Sequence, residues 1–283
     1  MKILRIIRQA VVDWLNDQAP SHAAAIAFYT IFSFMPLLML AMGLASYFFG
    51  QDQAGHELRR ELRFYVGREA GEPLAQIVLT ASQPGQKPWA VIVGAVTLLL
   101  GATAMFGQMQ AALNQIWKTP SAGSFGRQVL DFLKRKLLTF PMVLLFGFLF
   151  LVLMILTSFG PSLRAMSPEP AVPWAVNFYV AYRSTLSFVL VSLLLAMAYK
   201  ILPDAHIRWS DVWVGSLATS GAMLVGELLI GLYLRHAHFG SAYGAAGSLA
   251  VLLVWVYYSA MVFLLGAEFT HVWAQQRAAK ANV

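Results

Sequence analysis

The sequence predicts an all-α membrane protein: six transmembrane helices, an N-terminal interfacial amphipathic helix and a short helical outer cap. Three observations carry that expectation. Six apolar stretches, Ala23–Phe49, Trp89–Trp117, Leu137–Phe159, Val176–Leu202, Val212–Leu234 and Gly244–Trp273, are each long enough for a span, which takes roughly 20 residues to cross ~30 Å of hydrocarbon. The 283 residues are 59% hydrophobic and only 12% charged, well below the ~25% charge of a soluble domain. Basic and aromatic residues bracket the apolar stretches instead of lining one face, the placement expected at membrane interfaces. Inside lipid the backbone must satisfy its own hydrogen bonds, so such stretches fold as helices.

The elements form one membrane domain over 1–283, with a cytoplasmic lead-in over 1–22 and an outer cap over 50–88. In the lead-in, Ile3, Leu4, Ile7, Ala10, Val11, Trp14 and Leu15 fall largely opposite Lys2, Arg5, Arg8, Asp13 and Asn16. That pattern suits a helix lying in the interface with its basic groups near anionic headgroups. It is not the pattern of a cleavable signal peptide, whose apolar run is shorter and earlier. Pro36 within the first span removes a backbone hydrogen bond and predicts a kink. In the cap, Leu58, Leu62, Tyr65 and Val66 recur at helical spacing, Gly71 and Pro73 punctuate, and Leu74, Ile77, Val78 and Ala81 resume the pattern. Two short amphipathic helices are therefore expected. The helices either simply cover the bundle, or serve in gating or in binding an acidic headgroup through Arg59, Arg60 and Arg63 on the first.

With the N-terminus inside, twelve Lys and Arg fall on cytoplasmic segments and eight on the outer side, five of those eight within the cap. This bias places both termini in the cytoplasm of a bacterial inner membrane, crossed several times. The net charge of +7 is accounted for by that topology, and no nucleic-acid partner is expected. The chain has no cysteine, which excludes disulfides and thiolate-bound metals. His236 and His238 are a tight pair with no third ligand in view. Clustered acids, a phosphate-cradling glycine loop and a nucleophile elbow are all missing. Ser241–Gly244 reads as a turn into the last span. No enzymatic activity, metal or cofactor is expected.

Ionisable residues inside a membrane are costly, roughly 2.5–3.5 kcal/mol each, so each needs a reason. Glu227 lies about seven residues before the outer end of the fifth span and Arg183 about seven into the fourth, at matched depth ~10 Å below the surface. They form a candidate substrate-binding pair with Arg59, Arg60 and Arg63, or alternatively a structural bridge. At the inner end, His22, Gln108, Gln110, Asn114 and Glu268 form a candidate polar vestibule, or alternatively a set of interface anchors. His22 there would titrate near neutral pH. Ala218, Ala222 and Gly226 repeat every four positions, a face suited to close helix packing or oligomerisation.

Several segments carry a family resemblance. They are Ala23-Ala24-Ala25-Ile26-Ala27-Phe28-Tyr29 with Ser33-Phe34-Met35-Pro36, Ala112-Leu113-Asn114-Gln115-Ile116-Trp117-Lys118, Leu202-Pro203, Gly226-Glu227-Leu228-Leu229 and Leu265-Gly266-Ala267-Glu268. Over essentially its whole length the chain resembles the YihY/BrkB family of bacterial inner-membrane proteins. The resemblance implies six spans and a poorly defined activity. Members have been discussed as transporters, as envelope or serum-resistance factors, and formerly as a ribonuclease, a label the scattered acids here do not support. The expected function is transport or handling of a lipid or other anionic amphiphile of the envelope. The alternative is a non-transporting scaffold for envelope partners.

Overall fold

The backbone traces eight helices among the described residues of this computed structural model, which are 2–66, 68–82, 88–119, 173–236 and 239–281. They are α1 Lys2–Asn16, α2 Ala19–Phe49, α3 Gln51–Val66, α4 Arg68–Ala81, α5 Pro88–Ile116, α6 Pro173–Ile201, α7 Trp209–His236 and α8 Phe239–Ala281. No strand occurs among them. The expected third span, Leu137–Phe159, lies outside the described residues, as do the side chains over 173–184 and 227–248.

Among the described residues, three helical stretches are long and apolar enough to cross a membrane: Ala19–Phe49, Ile92–Ile116 and Leu249–Lys280. The expected fourth and fifth spans are also single helices, of 29 and 28 residues. Helix α7 is the more polar: Ser216, Thr219 and Ser220 are buried on it, and each hydroxyl donates back to a carbonyl three or four residues earlier. Hydroxyls satisfied in this way are tolerated inside a bundle.

Helix α8, 43 residues long, spans about 65 Å at 1.5 Å per residue, twice a hydrocarbon core. It packs against α1, α2, α3, α4, α5 and α7 and so organises the molecule. Its expected start at Gly244 is corrected: Ser241–Gly244 lies within the helix, which begins at Phe239. The expected connection between Leu234 and Gly244 shortens because α7 runs to His236 and the next helix starts at Phe239. Past Trp273 the helix continues to Ala281, and α1 docks near there through Ile6 and Ala10 against Val272, Phe269 and Trp273. Ile3, Leu4, Ile7, Val11, Val12 and Leu15 of α1 are exposed.

Between α1 and α2 the chain turns at Gln18, whose φ of 54° is left-handed, and Pro20 then starts α2 with a preset φ. Pro36 sits inside the assigned helix α2 and leaves the carbonyl of Phe32 without its usual donor. Gly50, at φ 83°, is the sole link from α2 to α3, a conformation that glycine adopts without a Cβ penalty.

Two short helices occur here as expected, packed as a hairpin, but their bounds differ from the expected ones. Helix α3 ends at Val66, and α4 starts at Arg68 and runs unbroken through Gly71 and Pro73. Gly71 serves a crossing and not a turn: a Cβ there would lie 2.7 Å from the carbonyl of Leu62. The hairpin buries Ala54, Leu58, Leu62, Leu74, Ala75 and Val78 against Leu38 and Met42 of α2 and Val251, Leu252 and Val256 of α8.

A second core joins α2, α5, α6, α7 and α8 around Leu113, Ile116, Tyr199, Val212 and Leu264. Tyr199 is buried; its hydroxyl donates to the carbonyl of Phe263 at 2.7 Å and lies 3.1 Å from Thr219 Oγ1. The tightest approach in this core is between α7 and α8. A Cβ on Gly266 would overlap Thr219 Oγ1, and one on Gly215 would overlap Thr270 Oγ1. Of the stripe expected to pack, Gly226 is buried against Tyr258, whereas Ala218 and Ala222 are exposed. Gly266→Ala is expected to destabilise by about 1–3 kcal/mol through overpacking. Gly221→Ala, with no atom near its Cβ, is expected to be neutral or slightly stabilising. Thermal unfolding in detergent, read as a lowered Tm for the first variant only, checks both.

Candidate functional site

The α3–α4 hairpin brings the three arginines singled out in the sequence to one place. Arg59, Arg60 and Arg63 line a cleft of about 410 Å³ with His56 and Glu72. Their spacing puts them on one side of α3, and the crossing at Gly71 delivers Glu72 opposite. Arg63 Nε donates to Glu72 Oε2 at 2.8 Å, Arg59 Nε stands 3.5 Å from Glu72 Oε1, and Arg60 pairs with Glu57 at 3.1 Å. Three guanidinium groups and an imidazole therefore face one carboxylate in the lining. The arginine side chains are about two-fifths exposed, so their pairing is weak in energy and open to exchange for another anion. Immediately before the hairpin, Tyr47, Phe48 and Phe49 are exposed at the end of α2, an arrangement typical of the membrane–water interface.

The inner polar residues sort into separate networks instead of one vestibule. His22 Nε2 lies 3.0 Å from Gln115 Oε1 and its Nδ1 2.9 Å from Gln108 Nε2. Only an imidazole with its proton on Nε2 satisfies both partners as placed. Gln115 also donates to the carbonyl of Asp17 at 3.0 Å, tying α5 to the α1–α2 turn. On the other side, Asn114 Nδ2 donates to Asp204 at 2.7 Å and its Oδ1 accepts from the Asp204 amide at 2.8 Å. Gln110 reaches the same carboxylate at 3.4 Å. The expected residues His22, Gln108, Gln110 and Asn114 are thus all engaged, but with partners (Gln115 and Asp204) that the sequence pattern did not single out.

Glu268 stands apart. It is 0% exposed, and neither carboxyl oxygen has a hydrogen-bond donor. The ionisable groups acting on it are Asp17, Asp13 and Lys118. One turn on, buried His271 packs its ring edge against Trp117, with centroids 4.8 Å apart. Its Nε2 meets Gln275 Nε2 at 2.6 Å, and its Nδ1 has no partner. Beyond it, Arg277 binds Asp211 at 3.0 Å, joining the end of α8 to the start of α7. Asp17, Asp204, Asp211 and His271 were missed because they sit at span ends, where polarity is ordinary. Their adjacency to spans is the only signal that could have marked them.

Arg183 and Glu227 lie on α6 and α7, which pack against each other. Their side chains fall outside the described residues, as does that of His236; His238 is outside them altogether.

Residues 10–282 match the family described as virulence factor BrkB. Among curated relatives, a protein named UPF0761 membrane protein from Albidiferax ferrireducens is 26% identical, covering 89% of this chain and 58% of the relative. One of the same name from Delftia acidovorans is 24% identical over 90% and 58%. Another from Pseudomonas aeruginosa is 26% identical over 90% and 59%. The chain therefore spans under three fifths of the relatives it matches. No solved structure matches it. A bacterial membrane protein with apolar helices of spanning length is consistent across these findings, and the chain belongs to the BrkB virulence factor family.

Proposed function

We propose that this protein transports or handles an anionic amphiphile of the envelope, receiving its headgroup in the α3–α4 cleft. The convergence of Arg59, Arg60 and Arg63 with His56 on one cleft supports this most directly. Guanidinium groups match phosphate and carboxylate geometry and exchange one oxyanion for another. Exposed Tyr47, Phe48 and Phe49 beside the hairpin support a position at headgroup level. In this reading the hairpin is the outer cap of a six-span inner-membrane protein with both termini in the cytoplasm. No catalysis, cofactor or nucleic acid enters. The acyl portion stays in lipid along the apolar faces below, and Arg183 with Glu227 offers a second polar step within the bundle.

A second reading, a scaffold that docks protomers or envelope partners without transport, is favoured by one feature. Ala218 and Ala222 are exposed on α7 beside exposed Leu217, Leu224 and Val225, a small-residue surface suited to another helix. Bulky substitution there would then abolish function, while charge substitution in the cleft would not.

Two outcomes test the first reading. Binding of a short-chain phosphatidylglycerol to the detergent-solubilised protein is expected to weaken about tenfold in Arg60→Glu, about 1.4 kcal/mol, and to weaken with added salt. Unchanged, salt-insensitive binding would count against the cleft. Glu227→Gln is expected to abolish complementation of a deletion strain while membrane levels stay normal. Full complementation would remove Glu227 from the substrate path.

A further inference from the structure

The end of α8 holds a carboxylate that the headgroup cleft does not use. Glu268 is fully buried with both oxygens lacking a donor. The group in reach of its carboxyl is another acceptor, the carboxylate of Asp17, with Asp13 behind it and Lys118 at the end of α5. Asp13 is already engaged by Gln9 Nε2 at 2.9 Å. Two carboxylates cannot hydrogen-bond without a proton between them, and a buried charge with no donor is costly. One proton removes that cost and supplies the missing donor together. A metal ion is a poorer occupant, because among the described residues no three His, Asp or Glu side chains converge closely enough to hold one.

We propose that Glu268 and Asp17 bind one proton between them, forming a proton-binding site that fastens α1 to the end of α8. The proton comes from cytoplasmic water through half-exposed Asp17. It forms an O–H bond on Glu268, which donates to the Asp17 carboxylate, and the pair carries a single negative charge. The charged and titratable groups around it are Asp13 and Asp17 from the α1 end, Lys118 from the end of α5, and His271 on α8 itself, which faces the same three. Loss of the proton leaves three carboxylates facing one ammonium group, and their repulsion acts on α1. Its other tethers among the described residues include Trp14 Nε1 donating to the Met261 carbonyl at 3.3 Å, Gln115 donating to the Asp17 carbonyl at 3.0 Å, and the Ile6 and Ala10 contact. Docking of α1 therefore weakens as pH rises, and the exposed apolar face of α1 is then free to settle deeper into the membrane surface.

Infrared difference spectroscopy on the full chain in phosphatidylglycerol/phosphatidylcholine nanodiscs tests this. The wild type is expected to show the carbonyl stretch of a protonated carboxylic acid at neutral pH, lost in Glu268→Gln. In Asp17→Asn, which supplies an N–H donor in place of the shared proton, the band is expected to be lost or shifted. This second variant decides the matter if the first does not fold. Amide exchange of α1, corrected for intrinsic rates, is expected to quicken with pH in the wild type and to lose that dependence in Glu268→Gln. No protonated-carboxyl band in the wild type, or one unchanged in both variants, overturns the site. A band that appears only when sodium is withdrawn also overturns it, because a metal cation then fills the place of the proton.

Discussion

Close approach of α7 and α8 depends on three positions where no side chain is tolerated: Gly226, against Tyr258, and the pair at Gly215 and Gly266. Gly215 lies against Thr270 and Gly266 against Thr219 and Tyr199, so the two backbones meet through hydroxyl-bearing side chains. Helices in lipid gain little from hydrophobic association, and packing of small residues with interhelical hydrogen bonds takes its place. The Tyr199 bond to the Phe263 carbonyl and the Ser192–Ser220 bond at 2.9 Å belong to the same layer. With α8 held there, its two ends extend to opposite sides of the bundle. One end receives the α3–α4 hairpin and the other receives α1.

That division of α8 separates two kinds of chemistry. At the hairpin end arginines face a cleft, half-exposed and exchangeable. At the far end most polar groups are satisfied in pairs, His22 by two glutamines, Asn114 by Asp204 and buried Asp211 by Arg277. Glu268, with neither oxygen satisfied, stands out even beside the unpartnered Nδ1 of His271, and an unsatisfied buried carboxylate demands an occupant in a way that a satisfied network does not. In the proposed reading, the arginines at the hairpin end take the anion and the Glu268–Asp17 pair toward the other end of the helix holds the proton.

Much of this was legible in the sequence because apolar runs of spanning length have few alternative folds. Ala23–Phe49 and Trp89–Trp117 differ from α2 and α5 by a few residues at most. The hairpin was legible from its 3.6-residue period, and the arginine cluster from spacing alone. Gly71 was misread because a glycine gives one signal for a turn and for a crossing, and only the neighbour, Leu62, distinguishes them. The length of α8 was underestimated because Ala274–Ala281 is polar and becomes part of a buried contact only where α1 covers the residues before it. Pairings such as Asn114 with Asp204, 90 residues apart, are products of packing with no local trace. Of the stripe Ala218–Ala222–Gly226 only Gly226 makes a tight contact, with Tyr258, and the others fall at Gly215 and Thr219.

Native mass spectrometry of the detergent-purified protein, with chemical identification of what co-purifies, addresses the headgroup cleft most directly. Wild type is compared with a variant carrying Ala at 59, 60 and 63. One anionic lipid or envelope amphiphile retained per chain, and lost in the variant, is the expected result. An anionic ligand held equally by both proteins, or none in either beside a defined oligomer or protein partner, would contradict it.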